Sequence, residues 1–145
     1  MPELIPQAGV IPYRRSAMQV EFCLITSVGG QRWGFPKGII EHGDTPTETA
    51  LKEAHEEAGL VGTIVGEPLG EYQYQKWGTT LEVTVFLMEV SRADDEWDEC
   101  EIRQRDWLPA HAAAERIDRP ELSELLQAAV LRLSDELPAN SKNRR

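Results

Sequence analysis

Two apolar runs near the start of the chain have the composition of β-strands. Residues 8–13 and 20–26 are rich in β-branched, aromatic and other large apolar side chains. The polar residues 14–19 lie between the two runs and are typical of a turn. The pattern therefore predicts two strands that pair as a hairpin.

Residues 45–59 have the pattern of an amphipathic helix with defined ends. Thr45 and Glu48 have the Thr-x-x-Glu spacing of a capping box, Pro46 suits the first turn, and Gly59 suits the C-terminal end. At about 100° per residue, the alanines at positions 50, 54 and 58 fall on one face of this helix. The predicted helix therefore has an apolar face and an acidic face.

The middle of the chain again predicts strands. Residues 63–75 have an interrupted strand pattern and residues 81–90 have a clearer one, with Gly78 in the connecting turn 76–80. Residues 104–108 have the pattern of a short last strand. Strands on both sides of a helix predict a mixed sheet in an α/β domain.

The remaining segments are an acidic stretch and a final helix. Residues 92–101 contain Trp97 but carry too much charge for a core element, which favours a mobile loop. The last helix is predicted to start at Asp118-Arg119-Pro120-Glu121. Its apolar positions follow the helical period at Leu122, Leu125, Leu126, Ala129, Val130 and Leu133. We expect the short polar tail, residues 138–145, to be disordered.

Composition limits the classes of protein that this chain can represent. Its 145 residues with 41% hydrophobic content predict a single domain over residues 1–137. The net charge of −10 opposes nonspecific binding to nucleic acid or to an anionic membrane. The amino end has neither a leader pattern nor a spanning apolar run, so we expect a cytoplasmic location. Cys23 and Cys100 are then expected to be reduced thiols.

Three carboxylates share the acidic face of the helix at residues 45–59. Relative to Glu53, Glu57 lies at about +40° and Glu56 at about −60° around the helix axis. Carboxylates at these spacings repel one another, so they need either open water or a bound positive charge. A solvated acidic face and a divalent-cation site are both compatible with this spacing alone.

The residues around the carboxylates distinguish the two interpretations, because the segment resembles the Nudix box, Gly-x5-Glu-x7-Arg-Glu-U-x-Glu-Glu-x-Gly-U, where U is apolar. Asp44 stands where the box has its first Glu, and Lys52 stands where it has Arg. Lysine cannot make the two-pronged contact of arginine with a carboxylate. The matching positions are Gly38, Glu53, Ala54, Glu56, Glu57, Gly59 and Leu60.

The resemblance extends over residues 8–130. Arg-Trp-Gly-Phe-Pro-Lys-Gly at residues 32–38 is similar to the Trp-x-x-Pro-Lys-Gly lead-in of asymmetric diadenosine tetraphosphate hydrolases. Arg-x-Arg-x-Trp at residues 103–107 is similar to diphosphoinositol polyphosphate phosphohydrolases instead. The family resemblance implies an α/β/α sandwich in which a mixed sheet lies between helices.

The resemblance also implies a cofactor and roles for individual residues. Mg²⁺ or Mn²⁺ suits an oxygen-only site, because these hard cations take carboxylate ligands and phosphate oxygens together. The implied metal ligands are Glu53, Glu56, Glu57 and the backbone carbonyl of Gly38. The implied catalytic and positioning residues are Glu57, Glu53 and Lys52, with Glu101 as a general base from a later loop.

The substrate predicted from this resemblance is a small phosphoanhydride, with diadenosine polyphosphates first. Alternatives are diphosphoinositol polyphosphates, RNA 5′ ends, nucleoside triphosphates and ADP-ribose, or a Nudix module that binds a nucleotide without cleaving it. Predicted substrate-binding residues are Lys37, Arg32, Tyr74 and Lys76. Aromatic candidates for stacking a base are Trp33, Tyr72, Tyr74 and Trp77. The sequence leaves the oligomeric state open.

Overall fold

A computed structural model describes residues 3–136, and the predicted tail at 138–145 lies outside this range. Among the described residues, no helix has the length and apolar content needed to span a membrane. The strands are β1 Leu4–Ser16, β2 Gln19–Thr26, β3 Trp33–Gly34, β4 Lys37–Ile39, β5 Leu60–Ile64, β6 Gly70–Lys76, β7 Thr79–Ala93 and β8 Arg105–Pro109. The helices are α1 Pro46–Ala58, α2 Ala110–Arg116 and α3 Pro120–Glu136.

One mixed sheet contains all these strands. The long strands β1 and β7 run parallel at its centre, from the Leu4–Thr80 pair to the Tyr13–Glu89 pair. Each of these two strands also has antiparallel partners on the edge that faces away from the other. Along its length β1 pairs first with β4 and then with β2, and β7 pairs first with β6 and then with β5. β3 and β8 pair antiparallel with β2. The predicted mixed sheet and the β1–β2 hairpin are confirmed.

The sheet has an apolar core on each face, because successive side chains of a strand point to opposite faces. Val10 and Phe86 belong to the core that contains the α1 alanines. Ile11 and Leu87 belong to the core that contains side chains of α2 and α3. Full burial of a large apolar side chain contributes about 1.5–3 kcal/mol, so both faces stabilise the fold. The α/β/α arrangement predicted from the resemblance is confirmed.

The ends of α1 are as the sequence predicts. The Glu48 amide donates to Thr45 Oγ1 at 3.1 Å, and the Thr45 amide donates to Glu48 Oε1 at 2.9 Å. Pro46 occupies the first turn, and Gly59 ends the helix in the left-handed conformation with φ of 69°. A side chain at Gly59 would also collide with the ring of Trp97. The helix boundaries therefore follow from residues within or next to the helix.

Several predicted elements needed correction. The predicted strand at 63–75 is two strands, β5 and β6, which pair with different halves of β7. The predicted strand at 81–90 is the longer β7, because its polar ends also pair with neighbouring strands. The short helix α2 was not predicted, and it lies between the last strand and the predicted last helix.

The acidic stretch at 92–101 differs most from its prediction. We expected a mobile loop, but the first residues continue β7 to Ala93, and Asp94, Trp97 and Glu99 form hydrogen bonds with the end of α1. The Trp97 indole donates to the Glu57 carbonyl at 2.9 Å, and the Glu99 amide donates to the Glu56 carbonyl at 3.2 Å. The segment therefore covers the end of the helix that carries the box carboxylates.

Candidate active site

Glu57 is a buried carboxylate between α1 and the chain that precedes it. Its residue is only 9% exposed. Glu57 Oε1 accepts a hydrogen bond from the Lys37 amide at 3.2 Å, and Glu57 Oε2 lies 3.4 Å from Arg103 Nη2. The start of β4 and the 94–104 loop thus meet at this side chain.

Glu53 lies one turn earlier and packs against Gly38. A Cβ atom at position 38 would collide with the Glu53 carboxyl group, so only glycine leaves room for it there. Glu53 is close enough to Glu57 for a hydrogen bond between the two carboxyl groups. The predicted proximity of Gly38 and Glu53 is therefore present.

The two carboxyl groups affect each other's titration. Burial raises the pKa of Glu57 to about 8, and repulsion from Glu53 and Glu99 acts in the same direction. Arg103 and the Lys37 amide oppose this increase but only in part. The pKa of Glu53 is raised as well, mainly by burial. Without a nearby cation, the pair is therefore most favourable with at least one group protonated.

The donor set is chemically suited to a hard divalent cation. Glu53 and Glu57 supply carboxylate oxygens beside the Gly38 backbone, and a cation would relieve the unfavourable burial of their charge. Glu56 is half-buried on the same helix. Within residues 3–136, however, no three acidic, His or Cys side chains already form a metal cage. Glu53, Glu56, Glu57 and the Gly38 carbonyl are the groups that would hold the ion.

Lys52 does not contact the box glutamates. Its amino group lies 3.2 Å from Asp44 Oδ2 and 3.8 Å from Glu41 Oε1, and these ion pairs are exposed to solvent. The hydrogen bond to Asp44 raises the pKa of Lys52 above its usual value. The two departures from the box pattern, Asp44 and Lys52, therefore pair with each other. The structure does not bring Lys52 to the position of an orienting cation.

Arg103, which the sequence prediction missed, contacts the site instead. Its Nε donates to Glu99 Oε1 at 2.6 Å, and its Nη1 donates to the Thr26 carbonyl at 2.9 Å. Its third nitrogen faces Glu57. The Arg-x-Arg-x-Trp pattern drew attention to this segment, but no sequence spacing indicated a contact with α1.

The later-loop acid is also placed differently from the prediction. Glu101 is exposed, and the structure does not bring it to Glu53 or Glu57. Glu99, two residues earlier, binds Arg103 and contributes to the raised pKa values of both box glutamates. Among the acids of this loop, Glu99 is therefore the one that faces the site.

A cavity of about 630 Å³ adjoins Glu57 and contains all four predicted substrate-binding residues in its wall. The Lys37 amino group donates to Tyr74 Oη at 3.0 Å, and Tyr74 Oη donates to Gln7 Oε1 at 2.9 Å. Five basic residues line the cavity against only two acidic ones, Glu57 and Asp118. The basic residues are Arg32, Lys37, Lys76, Arg103 and Arg119. The wall is thus locally positive in a chain of net charge −10.

Aromatic side chains provide apolar surface in the same cavity. Trp33, Tyr72 and Tyr74 are in its wall, and the two tyrosine rings stack at 6.2 Å between centroids. The Arg119 guanidinium lies 5.1 Å from the Tyr74 ring centroid. Trp77 is at the β6–β7 turn and is 79% exposed. The sequence prediction included these four aromatic residues but not Arg119, which precedes α3.

The arrangement combines two chemical functions. Basic side chains facing a cavity can bind several phosphate groups, because charge-assisted hydrogen bonds to phosphate are strong. Glu57 of α1 lies in the wall of the same cavity and can hold a cation or accept a proton. A substrate with a phosphate chain would therefore meet both groups at once.

Comparisons with known proteins agree with this geometry. A family model described as the NUDIX domain matches residues 4–129. Nudix hydrolase 17, mitochondrial, from Arabidopsis thaliana is 32% identical over 89% of this chain and 75% of that protein. Nudix hydrolase 4 from the same plant is 31% identical over 84% of this chain, but the match spans only 63% of that protein's length.

A solved structure supports the same assignment. The binary complex of an Ap4A hydrolase from C. elegans has a TM-score of 0.80 and 26% sequence identity. The match covers 90% of this chain and 98% of the other. The family resemblance and the fold predicted from the sequence are thus confirmed.

Proposed function

Because the chain belongs to the Nudix family, we propose that it is a pyrophosphohydrolase that requires Mg²⁺ or Mn²⁺ and cuts phosphoanhydride bonds. Diadenosine polyphosphates are the first candidate substrates. The observation that carries this proposal is the buried Glu57 carboxylate at the wall of a cavity lined by five basic residues. The basic residues that would bind phosphate and the Glu57 carboxylate line the same cavity.

The residues of the chain have separate parts in the proposed reaction. Lys37, Arg32 and Lys76 bind the phosphate chain from the cavity wall. Glu53, Glu56, Glu57 and the Gly38 carbonyl hold the divalent cation. When bound, the cation neutralises phosphate charge and lowers the pKa of a coordinated water. Glu57, and Glu99 on the other side of Arg103, are the carboxylates that would accept a proton from water.

Support for a dinucleoside polyphosphate comes from the aromatic wall of the cavity. Trp33, Tyr72 and Tyr74 offer ring faces for an adenine base beside the basic residues. The similar C. elegans protein is an Ap4A hydrolase, and it shares the fold over 90% of this chain. A base on the aromatic wall would place the attached phosphates among the basic side chains.

A diphosphoinositol polyphosphate is the second candidate substrate. The concentration of five basic side chains around one cavity favours a ligand with many phosphate groups. In this case Arg119 would bind phosphate, and the aromatic rings would only support the basic residues that lie over them. Binding would then depend strongly on salt concentration and little on a base.

A substrate panel tests the proposal. The protein is incubated with Mg²⁺ or Mn²⁺ and diadenosine polyphosphates, diphosphoinositol polyphosphates, nucleoside triphosphates, RNA with a 5′ triphosphate and ADP-ribose. We expect the highest kcat/KM with a diadenosine polyphosphate. Absence of cleavage in every arm would refute the proposed activity and leave a nucleotide-binding module as the alternative.

Variants connect the activity to the site. We expect Glu57→Gln to lower kcat at least about 100-fold, because it removes a negative metal ligand and a proton acceptor. The matched control is Glu96→Gln, which neutralises an exposed acid in the 94–104 loop. Equal activity of Glu57→Gln and the parent protein would contradict the proposed role of the box carboxylates.

A further inference from the structure

Arg103 forms the most extensive set of side-chain contacts with the candidate active site. Its three guanidinium nitrogens face three groups, at 2.6 Å from Glu99, 2.9 Å from the Thr26 carbonyl and 3.4 Å from Glu57. Only 14% of the Arg103 side chain is exposed, whereas 44% of the Lys52 side chain is exposed. Arg103 is thus a largely buried cation beside Glu57.

The surroundings of Arg103 fix the plane of its guanidinium group. Thr26 ends β2 and is 1% exposed. The Gln104 amide donates to Thr26 Oγ1 at 2.8 Å, and the Thr26 amide donates to the Gln104 carbonyl at 3.0 Å. The backbone beside Arg103 is therefore bound to the same residue that accepts one of its hydrogen bonds. A guanidinium held at two points has a defined direction towards the third.

We propose that Arg103 is the positioning residue for Glu57 and supplies the orienting cation that the box lacks at position 52. This inference rests on the proposed hydrolase function of the same site. Glu57 uses Oε1 for the Lys37 amide and Oε2 for Arg103. Each carboxylate oxygen has two lone pairs, so both contacts leave acceptor positions free for a metal ion. The second carboxylate, Glu99, holds Arg103 from the other side.

The assignment explains how a lysine is acceptable in the box. Lys52 is bound to Asp44 and Glu41 on the solvent side of α1, so it does not need the planar fork of an arginine. The contact with a box glutamate comes from the 94–104 loop instead. Glu99 and the Thr26 carbonyl hold two nitrogens of Arg103, and the third lies 3.4 Å from Glu57 Oε2. The orienting cation and the metal ligand are therefore on different elements, and both must be in place for activity.

Arg103 also lines the cavity, so a direct contact with a substrate phosphate is the competing role. The two roles differ in their kinetic effects. Loss of a positioning residue lowers kcat and weakens cation binding, while KM for the substrate changes little. Loss of a phosphate contact raises KM and leaves cation binding to the free protein unchanged.

The main test compares Arg103→Lys with Arg14→Lys. Arg14 is a matched control, because it is ion-paired with Glu21 at 2.9 Å and lies 4.0 Å from the Trp107 ring but does not line the cavity. We expect Arg103→Lys to lower kcat at least about tenfold with KM within about threefold. Arg14→Lys should keep the parent values. An increase in KM with unchanged kcat would overturn the proposal.

Cation binding gives a measurement that does not depend on turnover. Mn²⁺ is titrated into the free proteins, and unbound Mn²⁺ is followed by electron paramagnetic resonance. We expect Arg103→Lys to bind Mn²⁺ about tenfold more weakly than the parent protein. This measurement separates the two proposals, because it remains informative if every substrate in the panel is left uncut. Equal Mn²⁺ affinity of the parent and the variant would overturn the positioning role.

A second variant removes the support without changing either partner of the main contact. Glu99→Gln leaves Arg103 and Glu57 intact but weakens the 2.6 Å ion pair that holds the guanidinium. We expect a smaller loss of Mn²⁺ affinity in the same direction, a measurement that does not depend on Glu99 as a proton acceptor. For Arg103→Ala, added guanidinium ions should restore part of kcat, which a purely structural role would not produce. Failure of both effects would contradict the inference.

Discussion

The two ends of α1 are stabilised in different ways. At the N-terminal end, Thr45 and Glu48 satisfy each other's backbone amides within four residues of sequence. At the C-terminal end, four successive carbonyls, those of residues 56–59, accept hydrogen bonds from a segment about 40 residues later. The donors are the Glu99 amide, the Trp97 indole, Arg105 Nη1 and the Asp94 amide.

Formation of the helix and positioning of the box glutamates therefore depend on different contacts. The capping box is sufficient to start the helix, because all its partners are local. The box glutamates lie in the second half, whose end is fixed by Trp97, Arg103 and Arg105 from the 94–104 loop and β8. A change at the C-terminal end should therefore affect both stability and catalysis, and one at the N-terminal end should affect stability alone.

Among the substitutions that compare the two ends of α1, Trp97→Ala is expected to have the largest effect on stability and activity. The substitution removes the 2.9 Å hydrogen bond to the Glu57 carbonyl and the ring that lies under Arg105. We expect a loss of about 2–3 kcal/mol in the free energy of unfolding, from a lost buried contact and an unsatisfied carbonyl. Because Glu57 moves with this end of the helix, kcat should also fall at least about tenfold. Urea unfolding and steady-state kinetics measure the two effects.

Thr45→Ala is the comparison at the other end. Loss of this cap costs about 1 kcal/mol, and the activity of the folded protein should stay within about twofold. If Thr45→Ala lowered kcat as much as Trp97→Ala, the separation between the two ends would be wrong. If Trp97→Ala kept full activity, the C-terminal contacts would serve stability only.

Stability in the absence of divalent metal should depend on pH through Glu57. Its folded-state pKa is raised from the ordinary 4.5 to about 8, mainly by burial. The stabilisation from the protonated group is therefore complete below about pH 4.5 and is lost as the pH rises towards 8. We expect Glu57→Gln to unfold at a higher temperature than the parent protein at pH 8 in EDTA, and at a similar temperature at pH 5.

The exposed Glu101 provides the control for this pH dependence. Glu101→Gln should change the unfolding temperature by the same small amount at pH 5 and pH 8. In the parent protein, Mg²⁺ at pH 8 should restore part of the lost stability, because the cation binds the charged form of the folded state. The inferred burial cost would be contradicted if, in EDTA, the unfolding temperature of the parent protein relative to that of Glu57→Gln rose from pH 5 to pH 8.

The smallest expected effect is that of Lys52→Arg on the N-terminal side of the box. The substitution restores the residue of the family pattern, but the side chain faces Asp44 and Glu41 in solvent. Ion pairs exposed to solvent contribute little to stability, so the free energy of unfolding should change little. We expect kcat to stay equal or to rise by less than about threefold. A loss of activity beyond tenfold would show that Lys52 acts on the box carboxylates.

Local patterns in the sequence predicted the parts of the fold that depend on neighbouring residues. The hairpin, α1 with both its ends and α3 all have signals within a few residues. The extended ends of β1 and β7 escaped prediction, because those residues are strands only through pairing with distant or neighbouring strands. Helix α2 escaped prediction because it is short and forms no side-chain hydrogen bond at its N-terminal cap.

The candidate site likewise contains residues that the sequence predicted and contacts that it did not. The family pattern puts Glu53 and Gly38 into one set of metal ligands. The substrate-binding prediction for Arg32, Lys37 and Lys76 rests on their positions near predicted strand ends or loops around the box, and Tyr74 is an aromatic candidate. All four substrate residues line one cavity. The pattern could not show that Lys52 turns towards Asp44, because both orientations lie within reach of a flexible side chain.

The sequence by itself determined the helix and which of its acidic residues share a face, because spacing along a helix fixes which side chains lie together. Only the tertiary structure decided which side chains complete the site. Arg103 reaches Glu57 and Thr26 because β2, α1 and the 94–104 loop meet there, and the hydrogen bond to Thr26 spans 77 residues of chain. No periodic pattern encodes such a contact, since it depends on how the sheet brings distant segments together.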